Sequence, residues 1–241
     1  MKETNFKKQL IQLTMWNIVK VGITKLMGGK INLIIKIFVL LIIFSCKKKE
    51  QKNLLQLTQL SDYTITKTKI NDSITKVKGN NENYNLEGTI NESDNSKEGW
   101  WKVQNKLNNE FYNIEYIFLD KQIENQIKIY KNGQLQENLS KFYTASSDKN
   151  GVNFKFYFPE SKFRTYNVSF NYTVSDSLKR KIIKNEKLNC TKIINYYSCY
   201  IPIKQNESII GIATRFSSSK QKDSVLLAVD RMFIKPVYRK D

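Results

Sequence analysis

Downstream of residue 61, apolar and polar residues alternate with a period of two. Val152, Phe154, Phe156 and Phe158 are interleaved with Asn153, Lys155 and Tyr157. Tyr166, Val168, Phe170, Tyr172 and Val174 are interleaved with Asn167, Ser169, Asn171 and Thr173. Successive side chains on a strand point to opposite faces, so both runs predict half-buried strands. Shorter stretches rich in aromatic and β-branched residues predict further strands at 63–70, 74–77, 114–118, 126–130, 193–203, 209–216 and 225–229. The pairs Asn132-Gly133 and Asn150-Gly151 suit turns that need positive φ. One helix is expected, over residues 177–186. The expected fold class is all-β, an antiparallel sheet or β-sandwich. It divides into two small β domains, residues 62–145 and 146–241, with the boundary near 140–150.

The long apolar run is different in kind. Residues 37–44 are uninterrupted Ile, Phe, Val and Leu, followed by Ser45, Cys46 and three lysines, Lys47, Lys48 and Lys49. The run falls short of the roughly 18–20 apolar residues that span a bilayer, and extending it upstream meets Lys36. Ile43-Phe44-Ser45-Cys46 resembles the lipobox of bacterial prolipoproteins, and Cys46 with its lysines resembles the mature start of Bacteroidota lipoproteins. That resemblance implies a cleaved signal over 1–45, lipidation of Cys46 and a tether over 46–61. It also implies an outer-membrane address in the cell envelope, facing the periplasm or the surface, with the membrane as partner through the lipid anchor. The other readings are a short buried helix and a plain transmembrane anchor, but the run lacks the polar face of a buried helix. Met27-Gly-Gly-Lys30 makes an ordinary signal n-region, so translation is expected to start at Met27.

Removing residues 1–45 leaves 196 residues, 33 basic and 21 acidic, a net charge of +12. Such an excess suits an anionic partner. Nucleic acid is disfavoured, because five of the basic residues are arginine, the better phosphate fork, and the lysines are scattered. A solvated surface shaped by an AT-rich codon bias, lipid headgroups and acidic polysaccharide are the readings kept. If Cys46 is consumed by lipid, the cysteines left are Cys190 and Cys199. In an exported chain this pair reads as a disulfide closing a short loop, the alternative being two buried thiols.

The chain has no histidine. That removes histidine-dependent triads, the HExxH metal motif and the commonest general base near neutral pH. No GxxxxGK[ST] or GxGxxG loop is present, and no metal or cofactor is called for. Paired carboxylates remain as chemistry, with Asp120 and Glu124, or Asp230 beside Arg231, as nominees. The aromatic residues say more. Gly99-Trp100-Trp101 puts two tryptophans on opposite faces of one strand, so one can be core while the other stacks on a ligand; Tyr196-Tyr197 is a second such spot. Trp101–Lys106 and Ile127–Asn132 align at a spacing of 26 and, with the neighbouring glycines, resemble MORN-type hairpin repeats, which implies interaction rather than catalysis. Asp72-Ser73-Ile74, Asp176-Ser177-Leu178 and Asp223-Ser224-Val225 resemble the O-glycosylation tripeptides of exported Bacteroidota proteins. The expected function is non-enzymatic binding or scaffolding at the envelope, toward an envelope protein or polysaccharide. The alternatives are a carbohydrate-binding accessory lipoprotein and a polysaccharide-acting hydrolase.

Overall fold

The computed structural model describes residues 54–221 and 224–238. The Cys46 lipidation site and the 1–45 signal therefore lie outside the described residues. Within them the protein is all-β, with every strand pairing antiparallel.

Seven strands follow one another as a meander: β1 (Thr64–Lys69), β2 (Ile74–Asn80), β3 (Tyr84–Asn91), β4 (Lys97–Asn105), β5 (Glu110–Phe118), β6 (Gln122–Lys131) and β7 (Gln134–Leu135). Their inner face buries Val77, Leu86, Ile90, Trp101, Val103, Ile114 and Tyr116. Two 3-10 turns, Leu54–Thr58 and Leu60–Asp62, close this core. The stretch expected to be tether thus ends in packed structure. Leu54, Leu57 and Leu60 recur every third residue, the 3-10 period, which brings all three to the sheet. The Thr58 and Tyr116 hydroxyls share a hydrogen bond of 2.5 Å, and Lys97 Nζ donates to Thr58 Oγ1 at 2.9 Å.

The remaining strands are β8 (Phe142–Ser147), β9 (Gly151–Tyr157), β10 (Arg164–Asp176), β11 (Lys181–Asn189), β12 (Thr191–Lys192), β13 (Tyr197–Pro202), β14 (Glu207–Gln221) and β15 (Ser224–Tyr238). They form two four-stranded sheets in the orders β11-β10-β14-β15 and β12-β13-β9-β8. Phe154 and Phe156 of β9 meet Phe170 of β10 edge-on at 5.0 and 5.1 Å, in a core shared with Val168, Ile201, Ile209 and Met232. Both runs of strict alternation in the sequence supply the inward faces of this core, except that Tyr166, at a break in the β10–β14 register, is exposed.

The helix expected over 177–186 does not form. Residues 177–180 turn and β11 follows, paired with β10 from Ser169↔Asn189 to Asp176↔Lys181. Asp176 Oδ1 accepts from the Leu178 and Lys179 amides, which sets a turn where a helix would start. The sheets change near the expected boundary, between Leu135 and Phe142, and the described residues fall in one compact unit.

A buried polar knot joins the meander to the other two sheets. A bulge between β5 and β6 leaves Asn125 without a strand partner, and it is fully buried. Its carboxamide pairs with the backbone of Phe233 on β15 as a strand would, accepting from the amide at 2.7 Å and donating to the carbonyl at 2.8 Å. It also donates to Glu115 Oε2 at 2.8 Å, as does Gln126 at 2.7 Å. Lys235 of β15 closes on Glu115 Oε1 at 2.7 Å, and the Tyr143 amide of β8 donates to Gln126 Oε1.

Candidate functional site

The two tryptophans divide as opposite faces require. Trp101 is fully buried. Its indole fills the space above Gly88, where a Cβ would stand 2.1 Å from the ring, and Tyr116 packs edge-on at 6.3 Å. Its Nε1 donates to Thr89 O. Trp101 is a core residue and offers no platform to a ligand. Trp100 points to the outer face and is 42% exposed.

The outer face around Trp100 is ordered in rows, because strands in register place equivalent residues side by side. One row runs Lys78, Glu87, Lys102, Asn113, Lys128 from β2 to β6. The next, two residues along each strand, runs Asn80, Asn85, Gln104, Phe111, Tyr130. The rings of Phe111 and Tyr130 stack at 4.3 Å with 8° between their planes. Lys102 Nζ lies 5.1 Å over Phe111, and Lys128 Nζ lies between Trp100 at 5.0 Å and Phe142 at 5.5 Å. Aromatic faces attract ammonium groups, so the rings hold these lysines in place. The polar end of the face forms a hollow of about 320 Å³ floored by Lys78, Asn80, Asn85, Glu87, Lys102 and Gln104. A hydrogen bond from Lys76, reinforced by the charges of Lys78 and Lys102, holds the Glu87 carboxyl below the usual carboxylate range.

Trp101 pairs with Ile114 and Ile114 with Ile127, so the two segments that align at a spacing of 26 lie in register on β4 and β6. The strand β5 lies between them.

The second aromatic spot also divides. Cys190 and Cys199 are disulfide-bonded, with Cα atoms 4.8 Å apart. Within the loop they close, Tyr197 turns inward onto Phe158, while Tyr196 packs on Tyr157 at 5.5 Å beneath Lys155 Nζ at 5.0 Å. The loop walls a cavity of about 440 Å³ that Arg215 also lines.

The carboxylates nominated from the sequence are placed as follows. Asp230 pairs with Arg215 across the β14–β15 hairpin, not with Arg231: Arg215 Nη2 and Nε donate to Asp230 Oδ2 at 2.6 and 2.9 Å. Adjacent residues on a strand face opposite ways, which separates Asp230 from Arg231. Arg215 is buried, and its Nη1 donates to Pro159 O at 2.6 Å. Asp120 is exposed in the turn between β5 and β6, and Glu124 is half-buried on β6 opposite Tyr116. Burial pushes the Lys97 and Lys141 ammonium groups below the usual lysine range, opposed in each by the charge of Glu124 and in Lys141 also by that of Asp230. Among the described residues, no group of three or more acids or thiols converges as a metal site would. Ser73 and Ser177 stand exposed in turns; Asp223 of the third tripeptide lies outside the described residues.

The rows were not foreseen from the sequence, since their members come from five strands. The signal available was the outward half of each alternation, which carries lysine, amide and aromatic residues together. Comparison with protein-family models, with curated proteins and with solved structures found no match for this chain.

Proposed function

We propose that the protein is a lipid-anchored envelope lipoprotein that acts by binding rather than catalysis. In this reading Cys46 carries the lipid and holds the protein at the outer membrane. The outer face of the seven-stranded sheet meets the ligand. The observation that carries the binding half is the open face around Trp100, where rings and lysines lie preset in register over adjoining amides. Rigid aromatic rings flanked by amides are the make-up of a recognition surface. Two of the acids have other work: Asp230 is tied to Arg215, and Glu115 accepts three hydrogen-bonding or ionic partners inside the polar knot.

The anchor is tested by fractionation with a labelled fatty acid. Wild type is expected to carry label and sediment with membranes, and Cys46→Ala is expected to lose both. A Cys46→Ala protein that is still labelled and membrane-bound sinks the anchor.

A further inference from the structure

This inference rests on the binding face proposed above and names what the face takes. We propose that the ligand is an extended acidic polysaccharide, lying across the strands along the lysine row with one sugar stacked at Trp100. Three observations lead there. First, the row places Lys78, Lys102 and Lys128 on alternate strands, β2, β4 and β6. Neighbouring strands lie about 4.8 Å apart, so these ammonium groups recur at roughly 9–10 Å. An extended uronate chain with a two-fold twist presents its carboxylates along one edge at every second sugar, a repeat of the same order.

Second, the charges do not cancel locally. Glu87 is the acid in this row, and it is already bound to Lys76 at 2.6 Å. Lys76, Lys78, Lys102 and Lys128 against Glu87 and Glu98 leave an excess of two positive charges on one face. Third, the adjoining row supplies what a sugar chain needs beyond charge. Asn80, Asn85 and Gln104 offer carboxamides that pair with vicinal hydroxyls, and Asn80 and Asn85 are already oriented by their mutual hydrogen bond of 3.0 Å. On the other side of the lysine row stands Trp100 of β4, half-exposed and steadied by Lys128.

A lipid surface would also attract the lysines. It would use an aliphatic wedge rather than a file of carboxamides, and the protruding apolar group of this face is a single indole.

The test uses full-length protein in non-ionic detergent with three probes: polygalacturonate, neutral dextran, and vesicles rich in phosphatidylglycerol. Affinity electrophoresis is expected to show retention by polygalacturonate that weakens as salt rises. Lys102→Gln and Lys78→Gln each reduce affinity roughly two- to fivefold and flatten the salt dependence, as expected for single exposed charges. Trp100→Ala reduces it roughly tenfold at all salt concentrations. Lys181→Gln, on β11 away from the rows, changes nothing. Thermal melts of the four variants matching wild type show that the fold is kept. Equal retention by dextran, indifferent to the lysine variants, overturns the acidic class while leaving the face a binding surface. Binding to vesicles without retention by polygalacturonate overturns the polysaccharide. Retention by none of the probes, with Trp100→Ala silent, overturns the acidic polysaccharide together with the reading it rests on.

Discussion

Asn125→Ala should be among the most damaging single substitutions in the protein, although it removes no apolar contact. The side chain is fully buried and makes three hydrogen bonds, two to the Phe233 backbone and one to the Glu115 carboxylate. A neutral hydrogen bond contributes about 1 kcal/mol net and one to a charged group about 1.5–3 kcal/mol. Truncation also leaves the Phe233 amide and carbonyl unpaired in a buried joint. Water entering the space recovers part of this, so the expected loss is about 3–4 kcal/mol, a large share of a typical total of about 5–15 kcal/mol. Asn125→Asp sharpens the test. It keeps the volume and the acceptor for the Phe233 amide, but turns lone pairs toward Glu115 Oε2 and Phe233 O where donors stood. It should lose at least as much as Asn125→Ala at neutral pH and recover as the new carboxyl is protonated. Urea unfolding followed by tryptophan fluorescence measures both. Because the knot links the core containing Trp101 to the sandwich core, loosening it should also split one transition into two. An Asn125→Asp protein as stable as wild type, or an Asn125→Ala loss below about 1 kcal/mol, refutes the role assigned to the carboxamide.

Reducing the Cys190–Cys199 disulfide, or replacing both residues with alanine, should cost about 2–3 kcal/mol, the entropy of a loop with a sequence separation of 9. Calorimetry checks this, and a loss under about 0.5 kcal/mol counts against it. Stability should also fall at alkaline pH. Burial pushes the Tyr63 and Tyr112 phenols up from 10.0 to about 12, so the folded state holds protons that the unfolded chain has released between those values. Their contribution is present below pH 10 and is lost as pH rises toward 12, amounting to about 1–2 kcal/mol for the well-buried Tyr63 after allowance for solvent screening. Tyr63→Phe should flatten that limb, and an alkaline slope identical in the two proteins refutes it.

What the sequence made legible tracks how each strand is buried. β9 and β10 turn one face to a packed core and the other outward, so strict alternation exposed them. β11 was misread as a helix because its side chains are mostly exposed; pairing with β10 makes it a strand, and pairing leaves no periodic signature at an edge. β3 and β4 escaped explicit assignment because their inward positions 88 and 99 are glycines, which interrupt the apolar pattern although burial alternates along both strands. The Trp100–Trp101 division followed from the period alone, but which tryptophan was core depended on the gap above Gly88. Arg215–Asp230 and the Asn125 knot were invisible, since each joins residues that meet through register or across sheets.

The knot and the open face are two results of one local feature. An antiparallel sheet needs cover on one side only, and the meander obtains its cover from the 3-10 turns at its start. Its other face would be open along its whole length without the β5–β6 bulge. That bulge frees Asn125 to hold β15 and tucks Glu115 and Gln126 beneath Lys235 and Tyr143. Trp100, Glu115 and Gln126 stand in one row, so cover by the sandwich ends at Trp100. There Phe142 of β8 completes the ring pair around Lys128. The edge of the binding surface is therefore set by the joint. A variant that loosens the joint should weaken ligand retention through Trp100 even where the outer rows are untouched, and Asn125→Ala measured below its unfolding temperature separates that effect from loss of the fold.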